Sequence, residues 1–170
     1  MVDHGDDARS AHARVIGLYT AASSGAPMRA QAWVDAMPGV GIDGDRYATG
    51  LGYWSDPRWP DQELTLVEGE VADDLAIDAG QLRRNIVTRG VRLTDLIGVT
   101  FEFGCARLVG VRRCAPCRYL DSLARPGLHQ ALRNRGGLRA HILQGGRIHG
   151  ADRLTVVRSV DRAVDDRLRP

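Results

Sequence analysis

Short apolar runs broken by glycine recur along the whole chain, and no segment with helical spacing exceeds about a dozen residues. This pattern restricts the fold more than any other feature of the sequence. Val15, Ile16, Leu18 and Tyr19 mark a first strand within Ala13–Thr20, and Ala30–Ala36 suits a second. Leu64-Thr65-Leu66-Val67 within Glu63–Val67, Asn85–Thr88, Leu138–Leu143 and Arg153–Val157 are further strands. Thr100–Phe103 and Ala106–Val111 flank Gly104 as a hairpin. Helical spacing occurs in Glu68–Ala79, where Val71, Ala72, Leu75 and Ala76 share a face and Gly80 is the expected stop. Leu93–Leu96 reads as a turn or one helical turn before Gly98. Arg118–Ala124 and Leu128–Arg135 are short helical candidates, the latter ending at Gly136-Gly137. Many short strands and few helices predict a mainly β (α+β) fold: a β-barrel with a few peripheral helices in a single domain.

Domain limits follow from the ends of this pattern. Residues 1–12 are acidic and polar and are expected to form a disordered lead-in; 13–158 form the domain, and 159–170 a charged tail. The lead-in has neither the basic nor the apolar region of a secretory signal, and no apolar run approaches the roughly 20 residues of a membrane span. With three cysteines there is no even-numbered disulfide framework, so a reduced, cytoplasmic protein is expected.

All 23 basic residues are arginine; the chain has no lysine. That excludes a Schiff base, a covalent pyridoxal phosphate and a P-loop, each of which needs a lysine amine. It leaves a stock of planar, permanently charged forks suited to phosphate and other oxyanions. A net charge of +2, with no basic runs interleaved with aromatics, argues against a nucleic-acid partner. Pro38–Asp61 is a long Gly/Pro-rich segment holding four of the nine aromatics, Tyr47, Tyr53, Trp54 and Trp59. That aromatic content is wrong for disorder and predicts an ordered binding loop.

The chemistry centres on Cys114-Ala115-Pro116-Cys117, placed directly after a strand and before a candidate helix. Arg112, Arg113, Arg118 and a helix N-terminus all favour a thiolate here. The spacing alone admits two inert thiols, thioredoxin-like redox chemistry, zinc held together with His129 and His141, or a single soft-metal thiolate. The thioredoxin reading conflicts with a position two-thirds along the chain after a hairpin. The zinc reading lacks a second tight ligand pair. Leu82-Arg83-Arg84-Asn85-Ile86, a cluster of guanidiniums and one amide entering a strand, forms a clamp for an anion and a heterocycle and supports the soft-metal reading.

The order Gly44-Asp45-Arg46-Tyr47, Leu64-Thr65-Leu66-Val67-Glu68, Arg83-Arg84-Asn85-Ile86, Cys114-Ala115-Pro116-Cys117, Gly136-Gly137-Leu138-Arg139-Ala140 and Gly145-Gly146 resembles a MOSC domain. This is the module named for the C-terminus of molybdenum cofactor sulfurases, and the resemblance runs from about Val15 to Val157. It implies a MOSC-type β-barrel that binds a molybdenum–pterin cofactor. By resemblance to the amidoxime-reducing branch of the family, Cys117 takes the role of metal ligand, and Arg83 and Asn85 line the cofactor. That branch has Pro where this chain has Arg84, and Ser-Arg where it has Ala115-Pro116. One contact to the cofactor phosphate is therefore expected from Arg84, Arg46 or Arg139.

Three functions are compatible with such a site. One is an oxidoreductase acting on N-hydroxylated or related N–O small molecules. Another is a sulfur carrier using a Cys117 persulfide, and the third is a non-catalytic cofactor carrier. Electrons or sulfur are expected from a separate reductase or sulfur-donor protein, with no membrane partner. The oligomeric state is left open, a homodimer among the allowed forms, and Cys114 has no assigned role.

Overall fold

The computed structural model describes residues 12–59 and 61–157. The expected N-terminal lead-in lies outside them except for His12, and the expected tail lies outside them entirely. Among the described residues the chain runs through β1 (Arg14–Thr20), β2 (Arg29–Ala30), β3 (Trp33–Met37), β4 (Gly41–Ile42) and β5 (Leu64–Glu68). Helix α1 (Gly69–Asp74), β6 (Ile86–Arg89), β7 (Thr100–Phe103) and β8 (Ala106–Arg113) follow. Helices α2 (Arg118–Leu123) and α3 (Leu128–Ala131) precede β9 (Leu138–Gln144), β10 (Gly146–His149) and β11 (Leu154–Val156). Ala79–Leu82 and Leu93–Leu96 are single turns of 3₁₀ helix.

Eight strands form one sheet in the order β11-β7-β8-β9-β5-β6-β1-β2, and β10-β3-β4 form a second. Neighbours are antiparallel except β5 and β6, which run parallel with Leu66 beside Ile86. The two flanks of the large sheet meet at a bridge between Arg14 and Arg153. There the Val15 amide donates to the Asp152 carbonyl at 2.8 Å and the Leu154 amide to the Ala13 carbonyl at 2.9 Å. The sheet thus curls upon itself without a continuous closing ladder, a looser closure than the expected barrel. The register of β1 against β6 shifts between Val15 and Gly17, and β11 is three residues long.

Strand β5 shows why the fold has two cores. Its period of two sends Leu64 and Leu66 inward against Phe101, Phe103, Leu108 and Leu138. Val67 points outward and packs with Val87, Val71, Leu82, Leu120, Leu128 and Leu132 beneath the helices. Burial on both faces fits a central strand in which Leu64, Thr65, Leu66 and Val67 are all buried and which pairs in parallel with β6.

Several boundaries differ from the sequence reading, beginning with the expected strand Ala30–Ala36, which divides into β2 and β3. Helix α1 ends at Asp74, and Ala76 takes a left-handed backbone (φ 47°), so the chain leaves the helix before Gly80. Gly80 instead sits in the 3₁₀ turn that Asp78 caps. Helix α3 covers one turn only, since Asn134 (φ 66°) already reverses the chain ahead of Gly136. The segment at Gly146–Gly150 includes β10, whose pairing with β3 spans over a hundred residues and left no local signal. No helix among the described residues is long and apolar enough to cross a membrane.

Candidate functional site

Thr65 and Arg139 are register partners on β5 and β9, and both alternate with inward-facing leucines, so they lie side by side on the outer face of the sheet. This face forms the floor of a cleft of about 530 Å³, a volume that includes the open solvent at its mouth. Arg46, Arg83, Arg84, Cys114, Cys117 and Arg139 all line it. Four distant stretches of sequence therefore converge on one cleft, and five of the six expected site residues reach it.

The convergence depends on Gly136 and Gly137. A Cβ on Gly137 would collide with the Leu66 carbonyl, and its φ of 101° also disfavours any side chain. A Cβ on Gly136 would collide with the Cys114 carbonyl and crowd Pro116 at 3.1 Å. The pair is thus pressed between β5 and the cysteine turn, which the Cys114 amide secures with a 2.8 Å bond to the Gly137 carbonyl. Cys117, half-buried, is the N-cap residue of α2. That helix is six residues long, close to the short helix expected over Arg118–Ala124. Cys114 is buried, and both thiols are free.

The arginines divide into two pairs. Arg46 pairs with Asp45 at 3.0 Å and donates to the Arg83 carbonyl at 3.1 Å. Asp45 also accepts from the Ala21 amide, which ties the Gly44–Tyr47 turn to β1's exit. Arg83 has a left-handed backbone (φ 57°) and donates to the carbonyls of Ser24 and Ala26, each at 2.8 Å. Burial, and secondarily the neighbouring Arg46, pull the Arg83 guanidinium below its ordinary pKa. Both side chains thus clamp the wall of the cleft.

Arg84 and Arg139 are different. Arg84, 8% exposed, donates from Nε to the Gly136 carbonyl at 2.9 Å and from Nη1 to the Leu82 carbonyl at 3.0 Å. Arg139, 7% exposed, bonds from Nη1 to Gln62 Oε1 and the Asp61 carbonyl. Its Nε is the one buried side-chain polar atom without a partner among the described residues. Neither forms an ion pair with a carboxylate among those residues, although burying a charge normally demands one.

Asn85 does not line the cleft. It is fully buried, accepts from the Thr65 amide (3.2 Å) and hydroxyl (3.1 Å), and donates to the Tyr19 carbonyl at 3.2 Å. It joins β5 to the end of β1 behind the floor and is not among the residues that line the cleft. The opposite wall is aromatic: Tyr53 stacks on Tyr119 at 4.1 Å, and Trp54 meets Tyr53 edge-on at 5.1 Å. The sequence reading placed Tyr53 and Trp54 in a binding loop but missed Tyr119, which carried no signal beyond its place in α2.

His129 Nδ1 lies 2.6 Å from Asp121 and His141 Nδ1 lies 2.6 Å from Glu63. No group of three metal-ligating side chains converges among the described residues, so the zinc alternative has no ligand set there. The thioredoxin alternative fails on topology, because the Cys turn leaves an antiparallel strand.

Solved structures resemble this fold. The structure of the YuaD protein from Bacillus subtilis superposes with a TM-score of 0.66 at 19% identity, covering 84% of this chain and 93% of that one. YiiM from Geobacillus stearothermophilus gives a TM-score of 0.65 at 16% identity over 86% of this chain and 75% of that one. YiiM from Escherichia coli gives 0.61 at 17% identity over 86% and 71%. At such identities these likenesses concern the fold. Curated protein sequences yield no match. The family model described as "MOSC domain" matches residues 59–155, more than half of the sequence. The matched span carries the Arg-x-Asn segment, the cysteine turn and Arg139, and the chain belongs to the MOSC domain family, which is linked to molybdenum cofactor binding.

Proposed function

We propose that the cleft binds a molybdenum–pterin cofactor with Cys117 as the protein ligand of the metal, and that the chain is an oxidoreductase acting on N-hydroxylated or related N–O compounds. The observation that carries this reading is the meeting of a half-buried free thiol with buried guanidiniums that have no carboxylate partner. A soft thiolate suits molybdenum, and unpaired guanidiniums suit the phosphate of a pterin. The donor set therefore fits the group that the family implies.

The chemistry supplied by the bound cofactor is a two-electron reduction, R–NHOH + 2 e⁻ + 2 H⁺ → R–NH₂ + H₂O, with electrons from a separate reductase. The chain's own contribution is positional. Gly136 and Gly137 let the cysteine turn rest on the sheet, which sets Cys117 at the rim of the guanidinium floor. Asp45, Arg46 and Arg83 hold the wall, and Tyr53, Trp54 and Tyr119 line the cleft with aromatic rings.

Metal analysis and pterin fluorescence on protein produced with cofactor available, wild type beside Cys117→Ala, test the ligand assignment. Molybdenum in the wild type and its loss in the variant are expected, together with turnover of a hydroxylamine or amidoxime by a reduced dye. Loaded protein without turnover would reduce the reading to cofactor carriage. Absence of molybdenum from both, with one added sulfur on Cys117 by mass spectrometry, would replace it with sulfur transfer.

A further inference from the structure

We infer that Arg139 and Arg84 form an oxyanion subsite that takes a phosphate monoester through this chain's own side chains, independently of any metal. This deepens the cofactor reading by assigning the phosphate to two residues, and it excludes Arg46 and Arg83 from that task. Arg46 is neutralised by Asp45, and both Nη atoms of Arg83 are bound to carbonyls. Arg139 bonds only through Nη1, so its Nε–Nη2 edge is without a partner among the described residues, and Nε is buried. That edge is the planar two-donor fork that matches two oxygens of a tetrahedral anion.

Arg84 supplies a second cation. Its Nε and Nη1 are held by the Gly136 and Leu82 carbonyls, leaving Nη2 uncommitted among the described residues. Because Gly136 also carries the cysteine turn, Arg84, the turn and the strand bearing Arg139 are joined through one glycine. Both guanidiniums are buried in one cleft with no ion pair to a carboxylate among the described residues, and a dianion there compensates both charges. Ala115, which lines the cleft beside the two cysteines, offers no side-chain donor there.

The test is isothermal titration of cofactor-free protein with inorganic phosphate and with phenyl phosphate at fixed ionic strength. Wild type should bind one equivalent saturably, and phenyl phosphate more tightly than inorganic phosphate if a monoester is the natural ligand class. Arg139→Gln should weaken binding at least tenfold. Arg139→Lys keeps the charge and should fold, but lacks the two-donor edge, and should also weaken binding about tenfold. Arg84→Gln should cost severalfold, while Arg133→Gln, at an exposed site, should change nothing. Wild-type affinity in Arg139→Lys, or no saturable binding by the wild type, would overturn the subsite. Phosphate binding by a chain that never takes up molybdenum would leave the subsite standing and remove the cofactor reading. Full molybdenum and pterin content in Arg139→Gln would remove the subsite and leave that reading intact.

Discussion

Replacing Asn85 with alanine separates a structural from a ligand-binding role for the most buried polar side chain near the cleft. The substitution removes the carbonyl that accepts from the Thr65 amide and the amide that donates to the Tyr19 carbonyl. Thr65 Oγ1 still accepts from the Asn85 main-chain N–H at 3.3 Å, while its own O–H loses Asn85 Oδ1 as acceptor. The Thr65 amide is left without its acceptor in a fully buried setting, at about 2 kcal/mol, and loss of the Tyr19 bond adds about 1 kcal/mol. A total of about 3 kcal/mol corresponds to a fall in Tm of roughly 6–12 °C for a domain of this size. Thermal and urea unfolding of cofactor-free protein measure it directly. A melting point within about 2 °C of wild type would refute the reasoning. If such a protein also failed to retain pterin, Asn85 would have to be a ligand contact after all.

Gly137→Ala should be among the most damaging single changes, above about 4 kcal/mol, because the new Cβ meets the Leu66 carbonyl in a left-handed backbone. Gly39→Ala, also at positive φ but with nothing within 4 Å, should cost only about 1 kcal/mol, and the two melts side by side separate collision from backbone strain. Acid stability offers a third check. Hydrogen bonds from Arg112 hold the Asp61 carboxyl below its usual value near 3.8, against a smaller opposing effect of burial. A depressed folded-state pKa means the unfolded chain binds more protons. The associated stability is therefore complete well above pH 4 and lost as pH falls through the folded-state value. Arg112→Gln should remove the part of the acid dependence that begins near the ordinary carboxylate value and extends below it, and an unchanged acid profile would sink the assignment.

Much of the fold was legible along the chain, for reasons that can be named. Alternation at Leu64–Val67, the hairpin at Gly104 and the 3₁₀ turn at Leu93–Leu96 are local preferences of a few residues each, and the structure contains all three. The family order of the Arg83–Asn85 and Cys114–Cys117 segments was equally local, since each is a contiguous string. The β3–β10 pairing, the single-bridge closure at Arg14 and Arg153, and the left-handed Ala76 that ends α1 were not legible. Each depends on a partner far away in sequence or on a backbone state that alanine rarely adopts alone.

The same distinction applies to the site. Absence of lysine, abundance of arginine and the spacing of the two cysteines belong to the sequence, and they decided which chemistries were open to the chain. Which arginine meets which partner belongs to the tertiary structure. Arg46 beside Asp45, Arg83 on two carbonyls, Asn85 behind Thr65 and Arg139 with a bare Nε are outcomes of register and packing. A guanidinium's availability to a ligand depends on what has already satisfied its donors, and those acceptors come from strands and turns that the linear sequence does not place together.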